Sequence, residues 1–139
     1  MIPQLKRTSD CHLNLKNPMK YDEITLKLKR IYDDPASTDG FRVLVDRLWP
    51  RGVSKEDALL DLWLGDIAPS PGLRKWFNHD PARWDEFIER YHAELDERPE
   101  VITELFQKVT TSPITLLFAA KDVRHNHALA LKMYLDGED

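Results

Sequence analysis

From Ile24 to Ile31 the chain alternates apolar and polar residues, Ile-Thr-Leu-Lys-Leu-Lys-Arg-Ile, which is the period of a strand with one covered face. Asp33 to Gly40 is a string of turn formers, and Phe41 to Leu48 then supplies a second strand. Its unbroken Val43-Leu44-Val45 centre predicts burial on both faces. Ser54-Lys55-Glu56-Asp57 reads as a capping box with Asp in the usual Glu position, opening a short helix through Leu60. Asp61 to Ile67, interrupted by Gly65, reads as a short strand or an ordered loop. Ser70-Pro71 reads as the N-cap and first residue of a helix with Leu73, Trp76 and Phe77 on one side.

Pro81 opens a clearer helix, in which Trp84, Phe87, Ile88, Tyr91 and Leu95 recur at the helical period while Asp85, Glu86, Glu89 and Arg90 point away. Pro99 opens another, with Val101, Ile102, Leu105, Phe106 and Val109 on its buried side, and Thr110 to Pro113 end it. A buried strand, Ile114 to Ala119, follows at once. The last helix is expected from about Val123 to Leu135, with Asp122 as its N-cap and Gly137 as its stop.

Helices between the Phe41 and Ile114 strands allow a crossover that makes those strands parallel. The expected fold is therefore an α/β domain: an open, mainly parallel sheet with helices on both faces, a three-layer Rossmann-like arrangement. Ligands of such sheets bind beyond the carboxyl ends of the strands, where Trp49 to Gly52 and Lys121 to His127 fall.

A chain of 139 residues, 42% of them hydrophobic, suits one core of ordinary size. The expected organisation is an irregular arm over residues 1–18 and a single domain over 19–139. A formal net charge of −4 disfavours general affinity for nucleic acid. The single cysteine, Cys11, has no partner for a disulfide or at metal-ligand spacing, which suits a reducing compartment. With no long apolar run and no secretory leader pattern, the chain reads as cytoplasmic and without a membrane partner. Assembly into a homo-oligomer is compatible with all of this.

The two strand ends carry the candidate chemistry. Arg47 and Arg51 suit the two acceptor oxygens of a phosphate or carboxylate, or Arg47 pairs with Asp46 to fix the turn. Lys121 reaches into a cleft or pairs with Asp122 or Asp46. Trp49 and Tyr32 offer stacking walls. His127 is placed to act as acid or base, Asp46 to orient a cation, and Asn126 orients His127 or binds ligand. His125 is read as the solvent-facing member of its pair. The histidines lack a carboxylate or thiolate at familiar metal spacing, and no P-loop, nucleophile elbow or dinucleotide fingerprint occurs, so neither a metal nor a cofactor is expected.

The runs Leu44-Val45-Asp46-Arg47-Leu48-Trp49-Pro50-Arg51-Gly52, Leu73-Arg74-Lys75-Trp76-Phe77, Leu116 to Asp122 and Asn126-His127-Ala128 carry a resemblance that extends from about Leu26 to Leu135. The chain resembles the YeaO-like family of bacterial proteins, a domain of unknown function. The resemblance implies no substrate or cofactor, and residues 1–18, with Cys11 and His12, fall outside it. The residues themselves favour binding of a small phosphate- or carboxylate-bearing ligand, nucleotide-like ones included. A noncatalytic sensor or protein-interaction module, and a small hydrolase or transferase using His127, stand as the alternatives.

Overall fold

The computed structural model describes residues 24–137, so the expected N-terminal arm, with Cys11, lies outside the described residues. Strands β1 (Leu26–Arg30), β2 (Phe41–Leu44), β3 (Leu62–Trp63) and β4 (Ile114–Phe118) form a parallel sheet in the order β1-β4-β2-β3. The helices are α1 (Lys55–Ala58), α2 (Pro71–Phe77), α3 (Trp84–Asp96), α4 (Pro99–Lys108) and α5 (His127–Asp136). No helix of the described residues is long and apolar enough to cross a membrane.

Strand alternation sorts the core into two clusters. Phe41, Val43 and Val45, with Ile114, Leu116 and Phe118 from the neighbouring strand, meet buried side chains of α2, α3, α4 and α5. Each such fully buried side chain contributes about 1.5–3 kcal/mol through removal of apolar surface from water. On the opposite face Leu44 and Leu117 pack with Ile31 and with Ala58 of the one-turn α1. Helical cover is therefore uneven. The topology explains it: the chain steps outward from β2 to β3 and back from β3 to β4, and two crossovers of one hand that travel in opposite directions must use opposite faces.

The thinly covered face is completed by the polar loop between β1 and β2. Lys29, Arg42 and Thr115 converge there on Asp39, which is 3% exposed. Arg42 Nη1 lies 2.6 Å and Lys29 Nζ 3.0 Å from its carboxylate, the Ala36 N–H donates to it at 3.0 Å, and Thr115 Oγ1 donates to its carbonyl at 2.6 Å. Burial alone would raise the Asp39 pKa, but the donors from Ala36, Lys29 and Arg42 outweigh it and lower the value from 3.8 to about 2. Gly40, with φ 69°, leaves this loop in a conformation that favours glycine, and a Cβ there would meet the Pro113 carbonyl oxygen at 2.2 Å.

The local expectations hold at several ends. Ser54 Oγ accepts from the Asp57 N–H at 3.0 Å, Ser70 Oγ from the Leu73 N–H at 3.2 Å, and Gly137 closes α5 with φ 81°. Two expectations are corrected. β2 ends at Leu44, before the expected Leu48, because the chain turns out of the sheet once the Val45 N–H has bonded the Leu117 carbonyl. The last helix begins at His127 with Asn126 as its N-cap, Oδ1 accepting the Leu129 N–H at 2.8 Å. Asp122 caps a separate turn instead: its Oδ1 accepts the N–H groups of Arg124 and His125 at 2.8 and 3.1 Å.

Candidate functional site

The segment after β2 bends towards α1, whereas the segment after β4 bends towards α5 on the other face. Adjacent parallel strands whose connections diverge leave a crevice beyond their carboxyl ends. That crevice is a cavity of about 530 Å³, walled by residues 46–48 after β2, Ala119 and Ala120 after β4, the start of α5, and one side of α2.

Two side chains set the inner wall. Asp46 Oδ2 accepts the Ala119 N–H at 3.0 Å, and Arg30, from β1, donates to the carbonyls of Ala120 and Ala119 at 2.9 and 3.1 Å, so the segment after β4 is held from both sides. Arg47 pairs with neither Asp46 nor any other carboxylate among the described residues. Its Nη2 donates to the carbonyls of Ala68 and Pro69 at 3.2 Å each, and its Nε is buried with no hydrogen-bond partner. The guanidinium charge is met by carbonyl dipoles, with no ion pair to it among the described residues.

His127 Nε2 lies 3.0 Å from the Val45 carbonyl oxygen and 3.0 Å from Asp46 Oδ1. A carbonyl only accepts, so Nε2 carries the proton and directs it at Val45. Asp46 Oδ1 sits buried beside the ring without a well-aligned hydrogen bond. In the neutral ring Nδ1 then carries the lone pair, and no hydrogen bond to it occurs among the described residues.

Asn126 is 3% exposed and doubly used, capping α5 through Oδ1 and donating from Nδ2 to the Asp122 carbonyl at 3.0 Å. His125, expected in solvent, also lines the cavity, because Asp122 Oδ2 holds its Nδ1 at 3.0 Å and the ring packs edge-on against Trp84 at 5.4 Å. The Arg124 N–H, followed by the His125 side chain, lowers the Asp122 pKa below its ordinary value.

The other expected residues are gathered elsewhere. Trp49 Nε1 donates to the Val53 carbonyl at 2.6 Å, and its ring meets Trp63 edge-on at 5.3 Å. Tyr32 donates to the Arg51 carbonyl at 2.9 Å and carries the Arg30 guanidinium over its ring at 5.0 Å. The loop after β2 takes Trp49 and Arg51 towards the α1 face, so Tyr32, Trp49, Arg51 and Lys121 do not line the cavity, whereas Asp46, Arg47, Asn126 and His127 do.

The opposite wall consists of residues that sequence reasoning passed over: Arg74 and Lys75 on α2, and Asn78 and His79 just after it. Their spacing places Arg74, Lys75 and Asn78 on one helix face, which was the available signal. Asn78 and His79 both adopt left-handed backbone, φ 49° and 55°, and this sharp turn at the end of α2 brings His79 to the cavity. Beneath them the rings of Phe77 and Phe87 stack at 4.3 Å. No ion pair or hydrogen bond engages the Arg74 or Lys75 side-chain nitrogens among the described residues.

Comparison with known proteins places this geometry in a family. The uncharacterized protein YeaO of Escherichia coli is 42% identical over 112 residues, covering 81% of this chain and 97% of the relative. A family model described as the inactive DUF488-N3 subclade matches residues 24–138. The chain belongs to this YeaO-like family of unknown function. Uncharacterized proteins of Mycobacterium tuberculosis and Mycobacterium bovis are each 40% identical over 115 residues, covering 83% of this chain and 97% of the relative. No solved structure matches. The YeaO-like match spans every described strand and helix, and so includes both walls of the cavity.

Proposed function

We propose that the protein binds a small phosphate- or carboxylate-bearing anion in the cavity beyond β2 and β4, and does so without turning it over. One observation carries this reading: Arg47, Arg74 and Lys75 line the cavity against the single carboxylate of Asp46, in a chain whose net charge is −4. Concentrated positive charge in a concave site of a negative protein attracts anions and strengthens their binding where solvent is partly excluded. The start of α5 adds its partial positive charge to the same wall.

Two facts favour binding over turnover. Among the described residues, the cavity lining holds no serine, threonine, cysteine or tyrosine to serve as a nucleophile. The matching family model is described as an inactive subclade. A sensor or carrier role accommodates both.

The test is a thermal-shift screen with phosphate, sulfate, carboxylates, sugar phosphates and nucleotides, run on wild-type protein and on Arg74→Gln/Lys75→Gln. A ligand at one hundred times its Kd stabilises the native state by about 2.7 kcal/mol, roughly 8–10 °C for a domain of this size. The shift should fall sharply in the double variant and as salt is raised. Equal shifts in wild type and variant would overturn the reading.

The His127 arrangement favours a second reading, in which a small hydrolase or transferase uses the free Nδ1 as general base while Val45 and Asp46 hold the Nε2 side. It requires a water or substrate hydroxyl as nucleophile. Turnover of any bound anion, abolished in His127→Gln with binding retained, would establish it, and binding without turnover would reject it.

A further inference from the structure

The cavity is much larger than an inorganic anion, and its other lining is of a different character. A tetrahedral oxyanion occupies a few times the roughly 30 Å³ share of a water molecule, whereas the cavity measures about 530 Å³. The remainder is bounded largely by apolar groups: the stacked rings of Phe77 and Phe87, Pro69, and Leu48 at the mouth. Leu48 is the notable member. It is 69% exposed and belongs to neither hydrophobic cluster of the described residues, yet it lines the cavity.

We infer that the site takes an organic anion with an apolar group, an aryl phosphate or aryl carboxylate in class, the apolar part covered by Leu48 and Pro69 and the anionic part held by the cations of Arg47, Arg74 and Lys75. This rests on the anion-binding reading and specifies its ligand. Ligand pockets of this size combine apolar walls with a few oriented polar groups. Here Leu48 and Pro69 offer apolar surface, the buried rings of Phe77 and Phe87 close the floor, and the charges of Arg74 and Lys75 occupy the α2 side. An anion without an apolar body would leave Leu48 uncovered and most of the volume filled by water.

The experiment is calorimetric titration of the full chain with phenyl phosphate, inorganic phosphate and benzyl alcohol, on wild type, Leu48→Ala and Arg74→Gln. Leu48 is exposed, so its truncation leaves the fold intact. Phenyl phosphate should bind at least tenfold more tightly than inorganic phosphate. Leu48→Ala should weaken phenyl phosphate about three- to tenfold and leave inorganic phosphate unchanged, and Arg74→Gln should weaken both. Equal affinity for the two phosphates, or an unchanged phenyl phosphate affinity in Leu48→Ala, would overturn the inference while leaving anion binding standing. Benzyl alcohol binding as tightly as phenyl phosphate, or no binding by either phosphate, would overturn both readings.

Discussion

Replacing Asp39 by Asn removes the charge on which one face of the sheet is organised. Asp39 is 3% exposed, with Arg42 and Lys29 at 2.6 and 3.0 Å. Taking one member from a buried ion pair leaves the other uncompensated, and such losses run to about 3–5 kcal/mol. Carbonyl acceptors soften the effect, since Arg42 also donates to Ala58 and Leu59, and Lys29 to Asp34, so the lower end is expected. The titration supplies a sharper check. The folded-state pKa lies near 2 against an ordinary 3.8, so the carboxylate contributes stability that is complete above the unfolded value and is lost as pH falls through the folded one. At about 1.4 kcal/mol per pKa unit the contribution is on the order of 2 kcal/mol, more than half of which has gone by pH 2.5. Urea unfolding of wild type and Asp39→Asn from pH 6 to pH 2.5 measures this directly, because titrations shared by the two proteins cancel in the difference. The stability gap should narrow by about 1 kcal/mol or more towards low pH. A gap that stays constant would refute the claim that Asp39 is held ionised by its three donors.

Asn126→Ala should cost about 1–2 kcal/mol in chemical denaturation, because the Leu129 N–H loses its cap and the Asp122 carbonyl its donor, and Asn126→Asp, which keeps the cap but sets a carboxylate oxygen against that carbonyl, should recover little of it. Gly40→Ala should destabilise by more than about 2 kcal/mol, since it combines a positive φ with a Cβ driven into the Pro113 backbone, and thermal unfolding would show it. Tyr91→Phe should cost about 1–2 kcal/mol by leaving the Ile67 carbonyl unsatisfied, at 2.7 Å from the lost hydroxyl. Burial drives the Tyr91 phenol far above its ordinary range, so the alkaline absorbance titration below pH 12 should be the same in wild type and this variant.

The fold was legible where local chemistry and periodicity agree. The Val43-Leu44-Val45 and Ile114 to Phe118 runs are buried on both faces as central parallel strands, and Ser54, Ser70 and Gly137 cap as their residue types prefer. Competition between two good capping residues explains the misplaced start of α5. Asp122 and Asn126 both precede the apolar pattern, and only the tertiary path decides that the first stabilises a turn and the second the helix. The site was half legible for a related reason. Strand ends announce that Asp46, Arg47, Asn126 and His127 share an edge, but an edge has two sides, and the bend after β2 carries Trp49 and Arg51 away from it. Arg74 and Lys75 resemble solvated helix charges because Leu73 and Phe77 account for the buried stripe of α2. Nothing in the spacing reveals that their face closes a cavity whose other walls lie far away in the chain.

Chemical-shift mapping by NMR is the most direct test of the central claim, for a chain of 16.3 kDa titrated with phenyl phosphate and, separately, inorganic phosphate. The account predicts saturable shifts at the backbone amides of Arg47, Leu48, Lys75, Asn78, Ala120 and His127, around one cavity. Shifts confined to the neighbourhood of Tyr32, Arg51 and Lys121, or none with either anion, would contradict it.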